Sequence, residues 1–234
     1  LHSGSFGGVV PDALTSLCRL MATLHDEVGN VAVDGLANAH ATDLDYPEQR
    51  LREETGVLEG VSWIGDGSAV ERLWAKPAVS VIAIDATAVS DASNTLSPTA
   101  RAKISLRVAP GQSGADALEK LIKHLEARAP WRSKINIIPG DSGDPSTLEL
   151  SGPYADAATE AFTEAFGVAP VHMGQGGSIP MVAELSRRFP RATMLVTAVG
   201  DPDTRAHGID ESLHLGDFAK ACLAEALLLE RLAT

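Results

Sequence analysis

The sequence predicts two unequal parts: an α+β layer over residues 1–150 and an incomplete α/β layer over residues 151–234. Three observations lead there. Residues 100–108 alternate apolar and polar side chains without a break, which is the signature of a strand with one packed face. Helical periodicities lie on both sides of that strand in the chain. After Ser151-Gly152-Pro153 the pattern changes to helices around one apolar run, 192–199, and one strand cannot make a sheet.

Pro11 suits the first turn of a helix. Leu14, Leu17, Cys18, Met21 and Leu24 recur at helical spacing, so residues 11–27 are expected as an amphipathic helix ended by Gly29. Residues 47–54 read as a short helix closed by Gly56. Its Glu53-Glu54 pair admits a metal site, but a charge-rich solvated face is the stronger reading. Residues 78–84 are a strand. In 100–108, Ala100, Ala102, Ile104, Leu106 and Val108 share the packed face, and Arg101, Lys103, Ser105 and Arg107 the wet one. Pro110-Gly111 breaks the strand. Ser113 then caps a helix with Asp116 as its capping-box partner, and Ala115, Leu118, Leu121, Ile122 and Leu125 form its buried stripe. Residues 134–138 and 147–150 are further short strands. Helix, strand, strand, helix, strand, with one strand lost upstream, is the ferredoxin-like βαββαβ order.

In the second part a helix over 155–166 closes at Gly167. A Gly loop at 172–178 opens another helix. The apolar run 192–199 feeds the loop Gly200–Glu211, and a long apolar helix over 212–232 follows.

Composition narrows the function. The chain has 234 residues and a net charge of −12 with no Lys/Arg cluster, so nucleic acid and anionic membrane are poor partners. No apolar run is long enough to span a bilayer. Two cysteines, Cys18 and Cys222, fall on predicted apolar helix stripes and are expected to be buried small hydrophobes. No disulfide framework or signal peptide is visible, which makes a reducing cytoplasm the expected compartment.

Two stretches carry chemistry. The loop Gly200–Glu211 holds one histidine, four carboxylates and one arginine in twelve residues. Loops following a buried strand are where open α/β sheets place their sites. His207 is thus a candidate metal ligand or catalytic group, against the plainer reading of a solvated loop. In 172–180, Gly176 and Gly177 allow close backbone approach to an anion, and the next helix presents its N–H groups. Ser178 is a nucleophile or, since Pro180 breaks the G-x-S-x-G pattern, an N-cap. His25 and His124 are expected on helix surfaces. His40 and His214 have no supporting context. Zinc needs three or four ligands, and no histidine pair here has ligand spacing.

Four stretches together resemble one family: Leu1–Pro11, Ala100–Val108, Gly176–Pro180 and Arg205-Ala206-His207, in that order. They look like the carnosinase-type zinc dipeptidases, near the aminoacylases and succinyl-diaminopimelate desuccinylases. The resemblance implies a zinc-binding catalytic domain, with two ions in the intact enzyme, and an inserted lid that mediates homodimerisation. This chain would be the lid (1–150) plus the C-terminal segment of the catalytic domain (151–234). The other metal ligands and the general-base Glu would lie outside it, and the fragment would be inactive alone. A start at Leu1 without Met fits that expectation.

By the same resemblance His207 is the last metal ligand. His2 is the lid histidine that reaches a partner subunit's site and polarises the scissile carbonyl. Arg107 holds the substrate carboxylate, Asn94 contacts substrate, and Gly177 and Ser178 form the substrate-carboxylate loop. Two positions depart from the pattern. Gly174-Gln175 stands where many relatives have Arg-Glu, which bears on side-chain preference. Ser97 stands where a Pro is usual. The expected activity is hydrolysis of a dipeptide. The alternatives are an N-acyl amino acid deacylase or desuccinylase and, in another class, a non-catalytic dimerisation or ligand-binding module.

Overall fold

The structure, a computed structural model, describes every residue except Thr42, Glu149, 175–178 and Thr234, and only the backbone of Pro180. In chain order the helices are α1 (Ser3–Phe6), α2 (Ala13–Ala22), α3 (Glu48–Thr55), α4 (Gly114–Ala127), α5 (Pro153–Phe166), α6 (Pro180–Arg188) and α7 (Leu215–Leu232). The strands are β1 (Ala78–Asp85) and β2 (Arg101–Arg107). Two compact units result. One is built mainly from Leu1–Thr42 and Ser62–Pro145; the other takes Asp43–Val61, Ser146–Gly174 and Pro180–Thr234.

In the first unit α2 starts at Ala13, because Asp12 rather than Pro11 opens it: Oδ1 of Asp12 accepts the Thr15 N–H at 2.8 Å. The helix is shorter than its apolar spacing predicts. Asp26 accepts the N–H groups of Val28 and Asn30 at 3.0 and 2.8 Å, which winds the following residues into a turn. Gly29 adopts φ +93° there, and a Cβ on it would lie 2.8 Å from Cβ of Ile64.

β1 and β2 pair antiparallel, with Ala78 opposite Arg107 and Asp85 opposite Arg101. The predicted alternation holds except at Ser105, which is half-buried rather than exposed. Ile104 and Leu106 pack on a core of Leu20, Leu24, Val33, Val79, Leu121 and Leu125. Arg101, Lys103 and Arg107 are exposed. In α4, Ser113 caps as expected, accepting the Asp116 N–H at 3.2 Å. Asp116 does not complete the box. Its carboxylate takes the Gln112 Nε2–H at 2.7 Å, and the Lys120 ammonium beside it holds it below the usual carboxylate range.

The expected strand 134–138 forms no ladder, and among the described residues the sheet has two strands. Ile135 and Ile137 still pack against the core, while Lys134 and Asn136 face water. The period-2 burial written in the sequence is present; the ladder needs a neighbouring strand that the described residues do not supply there. His124 corrects another expectation. It is buried, with 9% of its surface exposed, and Thr23 Oγ1 lies 3.0 Å from its Nε2.

In the second unit α5 packs against α7 through Ala158, Ala161 and Leu228. Small residues on α5 let the two helix axes approach closely. Gly167 ends α5 in the left-handed conformation, as expected of a C-cap glycine. Arg231 of α7 reaches Glu164 of α5 at 2.6 Å. The stretches expected as strands, 147–150 and 192–199, carry no ladder among their described residues. Cys18 and Cys222 are both exposed, because each faces away from the stripe its helix buries. Among the described residues no helix is long and apolar enough to cross a membrane.

Candidate functional site

The N-terminal segment and residues 94–97, before β2, come together. The Ser3 N–H donates to the Asn94 carbonyl at 2.8 Å, and the Leu96 N–H to the Leu1 carbonyl at 2.9 Å. His2 forms an antiparallel bridge with Thr95 between them. Two candidates some 90 positions apart in sequence, His2 and Asn94, are thus neighbours, both exposed. The imidazole of His2 is not free to turn. Its Nδ1 accepts the Gly4 N–H at 3.1 Å at the start of α1. With Nδ1 an acceptor, the neutral ring carries its proton on Nε2 and presents a donor.

Arg107 ends β2 on the exposed face. Among the described residues no carboxylate pairs with it, whereas Arg101 on the same face is tied to Asp85 at 2.7 Å. A guanidinium left open in this way is available to a carboxylate ligand.

His207 lies in the other unit, in a loop tied at its base. The Ser212 N–H donates to the Thr204 carbonyl at 3.0 Å, and the Asp201 N–H to Thr204 Oγ1 at 2.8 Å. Between those ties Arg205, His207 and Asp210 all adopt positive φ, +54°, +64° and +59°. Non-glycine residues rarely do so, and such backbone concentrates at functional loops. At the loop's base Asp201, Asp203, Ser212, His214 and Asp217 line an open concavity of about 400 Å³. His214, without context in the sequence, caps α7 by accepting the Asp217 N–H at Nδ1, 3.2 Å away.

Among the described residues no three His, Cys, Asp or Glu side chains converge where a metal could sit. The described residues of this chain therefore do not fit a zinc site by themselves, and His207 lacks the co-ligands zinc requires. Gly177 and Ser178 lie outside the described residues.

Residues 1–133 match the peptidase dimerisation domain model of the M20 peptidases. The chain belongs to this family. Over 230 residues, 97% of its length, this family member is 33% identical to the cysteinylglycine-S-conjugate dipeptidase of Corynebacterium striatum, of which it covers 50%. It is 24% identical over 233 residues to the Beta-Ala-His dipeptidase of Rattus norvegicus, covering 93% of this chain and 46% of that one. The chain spans about half the length of the curated relatives it matches. Two solved structures share its fold. The di-peptidase Dug1p of Saccharomyces cerevisiae superposes with a TM-score of 0.81 at 24% identity, over 99% of this chain and 51% of that one. Human carnosine dipeptidase 1 does so with 0.80 at 20% identity, over 100% and 53%.

Asp12 and His214 escaped the reading of the sequence as side chains with specific work. For Asp12 a signal was there: Asp directly before an apolar-periodic run marks an N-cap. For His214 there was none, since histidine is not a usual cap.

Proposed function

We propose that this chain serves the zinc-dependent hydrolysis of dipeptides. It would act as the lid and dimerisation domain (1–150), with the ferredoxin-like order, and the C-terminal catalytic segment (151–234) of a metallodipeptidase that works as a homodimer. The observation that carries this reading is the 33% identity to a dipeptidase across 97% of the chain.

The local chemistry is consistent with it. His2 offers an Nε2–H donor whose orientation is set by the Gly4 N–H. Aimed at a scissile carbonyl oxygen, that donor binds more strongly as negative charge develops, an effect worth about 10²- to 10³-fold in rate at comparable sites. Arg107 pairs with the terminal carboxylate of the dipeptide and fixes its direction. Asn94, beside His2, adds a polar contact. His207 serves as one metal ligand, with the co-ligands contributed from outside these residues.

The test is zinc content and dipeptide turnover in the longest product of the gene, alongside the 234-residue chain alone. The long product is expected to bind zinc and cleave Cys-Gly; the short chain is expected to do neither. His207→Ala should lose metal, and His2→Ala should lose turnover while keeping it. Zinc content and turnover that survive His207→Ala unchanged would sink the ligand assignment.

A further inference from the structure

One carboxylate beside the His2–Asn94 pair has no role in the chemistry above. Asp12 divides its two oxygens between two backbone donors. Oδ1 accepts the Thr15 N–H at 2.8 Å and so caps α2. Oδ2 accepts the Ser97 N–H at 2.6 Å, across 85 positions of sequence. The Ala13 N–H returns to the Ser97 carbonyl at 3.0 Å. Ser97 ends the segment whose Asn94 and Leu96 are bonded to Ser3 and Leu1.

We propose that Asp12 is a positioning residue for His2 and Asn94: through Ser97 it anchors the Asn94–Ser97 segment on the start of α2 and so sets where the two side chains stand relative to each other. The proposal rests on the dipeptidase reading of His2 and Asn94.

Capping alone accounts for only half of the geometry. A helix N-cap needs one oxygen, and Ser, Thr or Asn serve as well as Asp. The second oxygen is used on a segment that belongs to the site. Both partners are N–H donors, so both positions demand an acceptor, and a carboxylate supplies two where an amide supplies one. The Thr15 N–H, with that of Ser97, also holds the Asp12 carboxyl below the usual range, so the anchor is ionised throughout the neutral range. The anchor acts at Ser97, and the Leu1–Ser3 pairing acts on Asn94 to Leu96. Releasing it leaves Asn94 and His2 held by the backbone of an otherwise exposed N-terminal segment.

Asp12→Asn separates the two roles. Its Oδ1 still caps α2, but its NH2 group meets the Ser97 N–H, donor against donor. Asp12→Ser is the second variant, since a single hydroxyl caps the helix and leaves Ser97 unpaired. In the 234-residue chain both are expected to melt close to the parent, while the Ser97 amide exchanges with solvent faster. In the longest product of the gene, kcat for Cys-Gly is expected to fall about tenfold with little change in KM, because small misplacements of a catalytic group are expensive in rate. The deciding measurement is a double-mutant cycle. In the His2→Ala background Asp12→Asn should cause a much smaller further loss, only the part that acts through Asn94, because the rest acts through a side chain already removed. A loss that simply multiplies with that of His2→Ala would overturn the proposal, as would an Asp12→Asn enzyme equal to the parent. Should His2→Ala itself leave kcat unchanged, the role given to His2 fails, and this proposal fails with it. If His2→Ala lowers kcat and Asp12→Asn does not, only the role of Asp12 falls.

Discussion

Oγ1 of Thr23 lies 3.0 Å from Nε2 of His124 and donates its own proton to the Leu20 carbonyl at 2.7 Å. A hydroxyl has one proton, so toward His124 it can only accept. The proton of neutral His124 therefore sits on Nε2, and the contact ties the end of α2 to the last turn of α4 across 101 positions of sequence.

That contact makes the first unit sensitive to acid. Burial, above all, pushes the His124 pKa below the usual histidine range; the Arg128 charge adds to this, while a hydrogen bond with the Thr23 backbone and the charge of Asp34 work against it. The unfolded chain, with a histidine pKa of about 6.5, takes up the proton first as pH falls. Stability from neutral His124 is therefore complete above about pH 6.5 and declines as pH drops toward the lowered folded value. Unfolding free energies at pH 7.5 and 5.5 check this. His124→Gln keeps an N–H donor for Thr23 and should show a smaller decline than the parent. An equal decline in both would mean that other groups carry it.

Leu24 is 1% exposed in the core of the first unit, next to the turn that stops α2. Leu24→Ala should destabilise that unit by about 2–5 kcal/mol, as lost burial and the remaining cavity add. Denaturant unfolding followed by tryptophan fluorescence measures it. A change well under 1 kcal/mol would show that the site collapses around the smaller side chain.

Ala161 is 0% exposed and lies in the α5–α7 contact. There is no space for a longer side chain, so Ala161→Leu should destabilise the second unit by about 1–3 kcal/mol by forcing the helices apart. Ala157→Leu, at a partly buried position on the same helix, is the comparison. If the two variants melt alike, the contact is looser than the burial of Ala161 implies.

Arg107 is expected to act on binding more than on turnover. Removing a charge-assisted contact worth about 1.5–3 kcal/mol corresponds to roughly a 10- to 100-fold rise in KM for Arg107→Ala in the longest product of the gene. Arg107→Lys should recover only part, because an ammonium lacks the two parallel donors. An unmoved KM in Arg107→Ala would remove Arg107 from the substrate site.

Local pattern determined a good deal here. The alternation of residues 100–108 placed Ile104 and Leu106 inward and Arg107 outward, and β2 has that arrangement. Ser113, Gly56 and Gly167 marked helix ends that are present. These features depend on a few neighbouring residues and on periods of 2 and 3.6, which a sequence displays directly. The loop around His207 stood out by composition, yet its three left-handed residues and its Thr204–Ser212 tie did not.

The closures between distant segments came from packing. Period-2 burial at 135 and 137 was written in the sequence, but whether a strand partners it was not. The burial of His124, the pairing of Leu1–Ser3 with Asn94–Leu96 and the two-handed grip of Asp12 each join residues about 85 to 100 positions apart. Such contacts are chosen by how the helices and the sheet pack, since a buried donor or acceptor must find a partner wherever the fold brings one. Local sequence made the side chains for a site available, and the packing of α2, α4 and the β1–β2 ribbon selected which of them meet.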